Sequence, residues 1–293
     1  MNPLGIHALV WAGDLTPEGA RKVITQSKAA GFDLVELSLH DPKVMDVALT
    51  RSLLEEHGLK VGCSRGLAFS ADVSSDDPAI VAKGVALLEE AVNLTHALGG
   101  SYYGGVPYSA LGKYGQPVTA LGRKHVVESL RRLSDLAAAK GVTIGIEVVN
   151  RYESNVINTA RQALALIDEV GASNLVVHLD TYHMNIEEVD FVQPVLECGD
   201  RLGYVHIGES HRGYLGSGTI DFTSFFHALA AINYQGPITF ESFSSTVVAQ
   251  GLSNDLAVWR NLWDDGMDLA THARSFILAQ AKGAGLGVTG RAY

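Results

Sequence analysis

Cysteine is scarce: two in 293 residues, Cys63 and Cys198, with no C-x-x-C pair. That excludes a disulfide framework and a thiolate metal centre, and fits a reducing, cytoplasmic compartment. Positive charge is also short, with 22 Lys and Arg against 32 Asp and Glu and a net charge of -10. A chain of that sign is not built to track a nucleic-acid backbone or an anionic membrane surface. No apolar run approaches the roughly 18 residues a membrane helix needs, and the opening MNPLGIHALVW lacks the basic stretch of a secretory leader. Low-complexity and linker-like segments are missing too, so one domain spanning 1–293 is expected.

Against these absences stands a regular alternation. Short apolar strand-like runs recur at 5-GIHALVW-11, 33-DLVELSL-39, 60-KVGCSRGL-67, 101-SYYGGV-106, 142-VTIGIEVVN-150, 175-LVVHLD-180, 202-LGYVHIGE-209 and 236-GPITFESF-243. Between them lie helical signals. Thr16-Pro17, Asp41-Pro42, Asp77-Pro78, Asn158-Thr159 and Asp221 each supply an N-cap type, several with a first-turn proline. Val81, Val85, Leu88 and Val92 form the apolar stripe that a helix lays on a sheet. A helix is expected over roughly 186–199, bent near Pro194, and a C-terminal helix from about 254, with a break at Gly266. Eight strand–helix units put the chain in the α/β class as a single (β/α)8 barrel. A doubly wound open sheet is the alternative, but it does not bring the last four strand ends round one centre so readily.

Those strand ends carry the chemistry. Glu147, Asp180, His206 and Glu241 each close a strand-like run, 33, 26 and 35 residues apart, about one βα unit each. A lone glutamate at a strand end is ordinarily a loop solvator or a salt-bridge partner. Four in phase on neighbouring units of a barrel would converge on its C-terminal face. Three carboxylates and an imidazole form a hard donor set suited to one Mn2+, Mg2+ or Co2+ ion, and carboxylates so close need a cation between them. His178 shares a strand face with Asp180. It is either a fifth ligand or, the preferred reading, a hydrogen-bonded histidine behind the ligands. His7, His40 and His211 fall at strand ends or in loops without a spacing that selects them. Glycines 213, 216 and 218 suggest a loop after the seventh strand, without the lysine a phosphate grip would favour. Trp259 and Trp263 are expected one turn apart on the last helix, in the core.

The strings E-V-V-N-R-Y-E (147–153), H-L-D-T-Y-H-M-N (178–185), H-I-G-E-S-H-R (206–212), F-E-S-F (240–243) and V-W-R (258–260), in this order and spacing, resemble the ketose 3-epimerases. That group comprises the D-tagatose, D-allulose (D-psicose) and L-ribulose 3-epimerases. The resemblance implies a xylose isomerase-like barrel and one divalent metal held by Glu147, Asp180, His206 and Glu241. It implies Glu147 and Glu241 as the acid/base pair, and Glu153, His183 and Arg212 on the sugar's carbonyl side. It also implies a small-molecule ketose as partner and a homodimer or homotetramer. His7, Ser64, Arg65 and Tyr108 fall in segments that vary within the group, so the preferred sugar does not carry over. Inverting C3 of a 2-ketose means removing a proton beside a carbonyl and returning it to the other face, which two bases on opposite sides do directly. Rival chemistries are an aldose–ketose isomerase (hydroxypyruvate isomerase-like), an endonuclease IV-like phosphodiesterase and a non-catalytic sugar-binding barrel. The phosphodiesterase would need more metal ligands and a basic track.

Overall fold

Parallel pairing runs from the first strand to the last and back to the first. The computed structural model describes residues 1–248 and 250–288; residues 289–293 of the expected domain lie outside the described residues. The strands are β1 (Leu4–His7), β2 (Leu34–Ser38), β3 (Lys60–Leu67), β4 (Tyr102–Ala110), β5 (Thr143–Glu147), β6 (Leu175–Asp180), β7 (Leu202–Ile207) and β8 (Ile238–Phe240). They form a closed barrel in chain order, sealed where Leu4 pairs with Ile238 and Ile6 with Phe240. The connecting helices are α1 (Pro17–Ala29), α2 (Val47–His57), α3 (Pro78–Ala97), α4 (Ala120–Ala139), α5 (Ala160–Val170), α6 (Thr181–Glu187), α7 (Gln193–Cys198), α8 (Phe222–Ala231), α9 (Gln250–Asp255) and α10 (Gly266–Ala284).

Local chemistry sets most of the helix starts. The Thr16 hydroxyl accepts from the Gly19 amide with Pro17 in the first turn, and the Asp77 carboxylate accepts from the Ala79 amide ahead of Pro78. Thr159 and Gln162 form a reciprocal capping box at α5. Asp221 caps α8 as expected.

Other boundaries differ from the sequence reading. Asp41-Pro42 opens only a 3-10 turn, and α2 starts at Val47 under the Asp46 cap. The helix expected over 186–199 is two, with Pro194 in the first turn of α7, where a missing N–H costs nothing. β1 stops at His7 because the ring of His7 accepts from the Leu9 amide and turns the chain. β4 continues to Ala110, so Tyr108 is a strand residue and not a loop residue. Asn254 lies in the short α9, and Gly266 begins the long last helix, capped by Asp265, instead of breaking it. Trp263 is buried as expected, but Trp259 is 73% exposed and neither lies on a helix.

Apolar strand residues such as Ile6, Val35, Ile144 and Val205 pack with Val23, Leu88, Leu130 and Phe225 of the helices in one continuous core. Each fully buried side chain of that size contributes about 2 kcal/mol. Inside the barrel a second, smaller cluster of Leu34, Tyr102 and Tyr204 fills the floor, the two tyrosine rings stacked at 4.1 Å. Gly5 and Gly145 make room for it: a Cβ at either position would collide with Thr239 or with the Tyr102 ring. The floor supports what stands above it.

Candidate active site

Because all eight strands are parallel, their C-terminal ends share one face. Glu147 and Asp180 are the last residues of β5 and β6, His206 is the penultimate residue of β7, and Glu241 follows β8. Register pairs Asp180 with His206, and the Glu241 amide donates to the Ile207 carbonyl. One ligand atom from each of Glu147, Asp180, His206 and Glu241 lies within 4.8 Å of the others, all four side chains buried. The expected quartet is therefore assembled, and its donor set is one a divalent cation fits.

His206 is the hinge of this arrangement. Its Nε2 lies 2.8 Å from Glu36 Oε2, while Nδ1 faces Glu147 Oε1 at 3.3 Å and Glu241 Oε1 at 3.4 Å. Donation of Nε2–H to Glu36 leaves Nδ1 as the atom offered to an ion. Sequence reading missed Glu36, which comes from β2 and is fully buried. One signal was present: a glutamate inside an otherwise apolar strand must find a partner. Burial alone would raise its pKa, but the imidazoles of His206, His7 and His178 hold it well below the usual carboxylate range. Burial likewise opposes a charge on His206, yet the carboxylates of Glu241, Glu36 and Glu147 outweigh it and raise the ring well above its ordinary value.

The two glutamates are not equivalent. Burial pushes Glu147 up to about 7 and Asp180 up to about 6. Glu241 is equally buried but shifts down, because His206, Arg212 and His7 surround it with positive charge or its potential.

Arg212, His183 and Glu153 cluster beside the quartet. Arg212 sits in the loop after β7 at φ +64°, a left-handed backbone, with its carbonyl accepting from Ser242 Oγ. Its guanidinium lies 3.7 Å over the Tyr182 ring and 4.9 Å from the Phe243 ring centroid. From there it donates to Asp180 Oδ2 at 2.9 Å and Glu241 Oε2 at 2.6 Å. His183 Nδ1 accepts from the Asn150 backbone amide at 3.1 Å and from its side-chain amide at 2.8 Å. With Nδ1 accepting from the Asn150 backbone, a neutral ring carries its proton on Nε2, which lies 3.3 Å from Arg212 Nη2 and 3.7–3.9 Å from Glu147, Glu153 and Asp180. Burial, reinforced by Arg212, keeps the ring neutral. Glu153 Oε1 accepts from Asn150 Nδ2 at 2.9 Å, and burial pushes this acid up to about 7. Asn150 is thus a second positioning group that spacing alone did not single out.

A cleft of about 140 Å3 opens above these groups, walled by Glu153, Tyr182, Arg212, Phe243, Val258 and Trp259. His7 stands at the site's edge, 3.7 Å from Glu36 and 4.0 Å from Glu241, with Ser64 beside it at 3.5 Å. Tyr108 donates to the Glu147 carbonyl from below, and Arg65 turns outward to Glu90 at 3.6 Å. His211 reaches only the rim and hydrogen-bonds Ser217, and His40 pairs with Ser38.

Residues 24–269 match the xylose isomerase-like TIM barrel family. An L-ribulose 3-epimerase of Methylomonas sp. (strain DH-1) is 57% identical over 273 residues, 93% of this chain and 96% of the relative. A ketose 3-epimerase of Arthrobacter globiformis is 52% identical over 94% of this chain and 95% of its own length. The chain belongs to the ketose 3-epimerase family. Among solved structures, D-allulose 3-epimerase from Methylomonas sp. in complex with D-allulose superposes with a TM-score of 0.94 at 56% identity, covering 95% of this chain and 97% of that one. A ketose 3-epimerase is a carbohydrate isomerase, and the buried Glu/Asp/His cluster of this one is able to hold a metal ion.

Proposed function

We propose that the enzyme inverts C3 of free 2-ketoses, interconverting pairs such as D-fructose and D-allulose, D-tagatose and D-sorbose, or L-ribulose and L-xylulose. The observation that supports this reading is that Glu147, ending β5, and Glu241, just after β8, both approach His206 Nδ1, at 3.3 and 3.4 Å. One ion per subunit, Mn2+, Mg2+ or Co2+, would be held by Glu147, Asp180, His206 and Glu241 and would supply Lewis-acid polarisation of the ketone.

The chain's own groups do the rest. One glutamate takes the C3 proton from its side of the sugar and the other returns a proton on the opposite side, through a cis-enediolate; the roles exchange in the reverse direction. Arg212 and the Nε2–H of His183 donate to the oxygens where charge develops, already fixed by stacking and by Asn150. Glu153 accepts from a sugar hydroxyl. Half-buried Tyr182 and buried Phe243 clamp the Arg212 plane so that its direction costs nothing to set at the moment of reaction.

Glu209 supports an unphosphorylated substrate. Its carboxylate accepts the Ser210 and Gly216 amides at 2.8 Å each, which occupies the donors a phosphate would need in this glycine-bearing loop. The buried free cysteines fit a cytoplasmic setting, and among the described residues no helix is long and apolar enough to cross a membrane. A homodimer or homotetramer is the assembly the family resemblance implies, measurable by sedimentation.

The test is incubation of the Mn2+-loaded enzyme with D-fructose, D-tagatose, D-allulose and L-ribulose in D2O. The expected result is the C3 epimer carrying deuterium at C3. An aldose product with label at C2 would replace this reading with an aldose–ketose isomerase.

A further inference from the structure

Directly beneath the four converging ligands stands His178, on β6 two residues before Asp180. It is fully buried, its Nδ1 is 3.1 Å from the Tyr102 hydroxyl, and its Nε2 has no hydrogen-bond partner. Strand register sets His178 beside Glu147, and its ring meets that of His206 edge-on at 4.2 Å between centroids. One ligand atom from each of Glu147, His178 and His206 lies within 4.8 Å of the other two. A buried ring that borders a carboxylate and a second imidazole, and that keeps one nitrogen with nothing bonded to it, has a ligand atom in reserve.

We propose that His178 gives the metal centre a second, deeper seat, in which an ion of the zinc class is held by Glu147, His178 and His206. The inference rests on reading Glu147 and His206 as ligands. The two seats differ in chemistry. The upper one offers three carboxylates and one imidazole, the set that manganese and magnesium take readily. The lower one offers two imidazoles and one carboxylate, the set that zinc, nickel and copper prefer. In the tautomer whose Nδ1–H donates to the Tyr102 hydroxyl, the Nε2 lone pair of His178 would be free for an ion, the usual outer support for a ligating histidine. Glu147 and His206 belong to both seats, so the seats exclude one another. An ion in the lower seat leaves Asp180 and Glu241, and with them the acid on the far side of the sugar. The fold would therefore discriminate between ions by depth.

The test uses the full-length, metal-free protein, titrated calorimetrically with Mn2+ and separately with Zn2+, and X-ray absorption spectra of each loaded form. Two imidazoles are expected around Zn2+ and one around Mn2+. In His178→Gln the Zn2+ affinity is expected to fall at least about tenfold, with the Mn2+ affinity nearly unchanged. Should that variant fail to fold, the spectra of the unaltered chain decide. A single imidazole on Zn2+, or an equal loss for both ions in the variant, would overturn the proposal and leave the upper site standing. If neither ion binds the unaltered chain, the metal reading itself falls.

Discussion

The two halves of the barrel do different work with the same geometry. Strands β5 to β8 end in the groups that face one another across the cavity: Glu147, Asp180, His206 and Glu241. Strands β1 to β4 supply the groups that hold those in place: His7 beside Glu241, Glu36 on His206, and Tyr108 on the Glu147 carbonyl. A ligand can stand at a strand's end, next to a polar loop, but a prop has to approach from within the barrel. That is why the first half buries a glutamate in mid-strand and the second half does not.

The comparison predicts a descending order of effects. Replacing Glu147 or Glu241 by Gln should cut kcat by about 10³-fold if, as proposed, each is a proton-transfer group; steady-state epimerisation at saturating metal measures it. Replacing the prop Glu36 by Gln should leave the proton-transfer groups intact and weaken metal binding by about 10- to 100-fold, read by titration of the metal-free protein. If Glu36→Gln were as damaging to kcat at saturating metal as Glu147→Gln, the division between the halves would fail.

Glu153 sharpens the same division from the side of stability. Its folded pKa of about 7 lies above the ordinary value of 4.5. The folded protein therefore keeps this proton while the unfolded chain loses it. Stability is fullest below pH 4.5 and falls as pH rises to about 7, by about 3 kcal/mol from this group. In the metal-free protein Glu153→Gln should flatten that part of the profile, and an unchanged slope would show that Glu153 ionises freely. The smallest effect belongs to the rim: Trp259→Ala, at a largely exposed indole on the cleft wall, should raise KM a fewfold with kcat nearly unchanged.

How much of this was legible in sequence follows from the same physics. Glu147, Asp180, His206 and Glu241 stand at strand ends in phase with the repeat, so periodicity exposes them, as it exposes the barrel. Glu36 and Asn150 act through contacts separated by 170 and 33 residues, and no local pattern reports such a distance. Helix starts with a cap and proline in register, such as Thr16-Pro17, read correctly. Asp41-Pro42 has the same letters, but its carboxylate caps nothing and the helix waits for Asp46. The end of the chain misled because residues 256–265 pass over the cleft as irregular structure, and their apolar side chains serve its wall.

The central claim is that the two glutamates serve opposite faces of C3. It is tested most directly by hydrogen exchange at that carbon in D2O, with Glu147→Gln and Glu241→Gln at equal metal content, starting separately from D-fructose and from D-allulose. The account predicts that each variant still exchanges the C3 hydrogen of one epimer and not of the other, with the preference reversed between the two variants. Equal exchange of both epimers by either variant would contradict it.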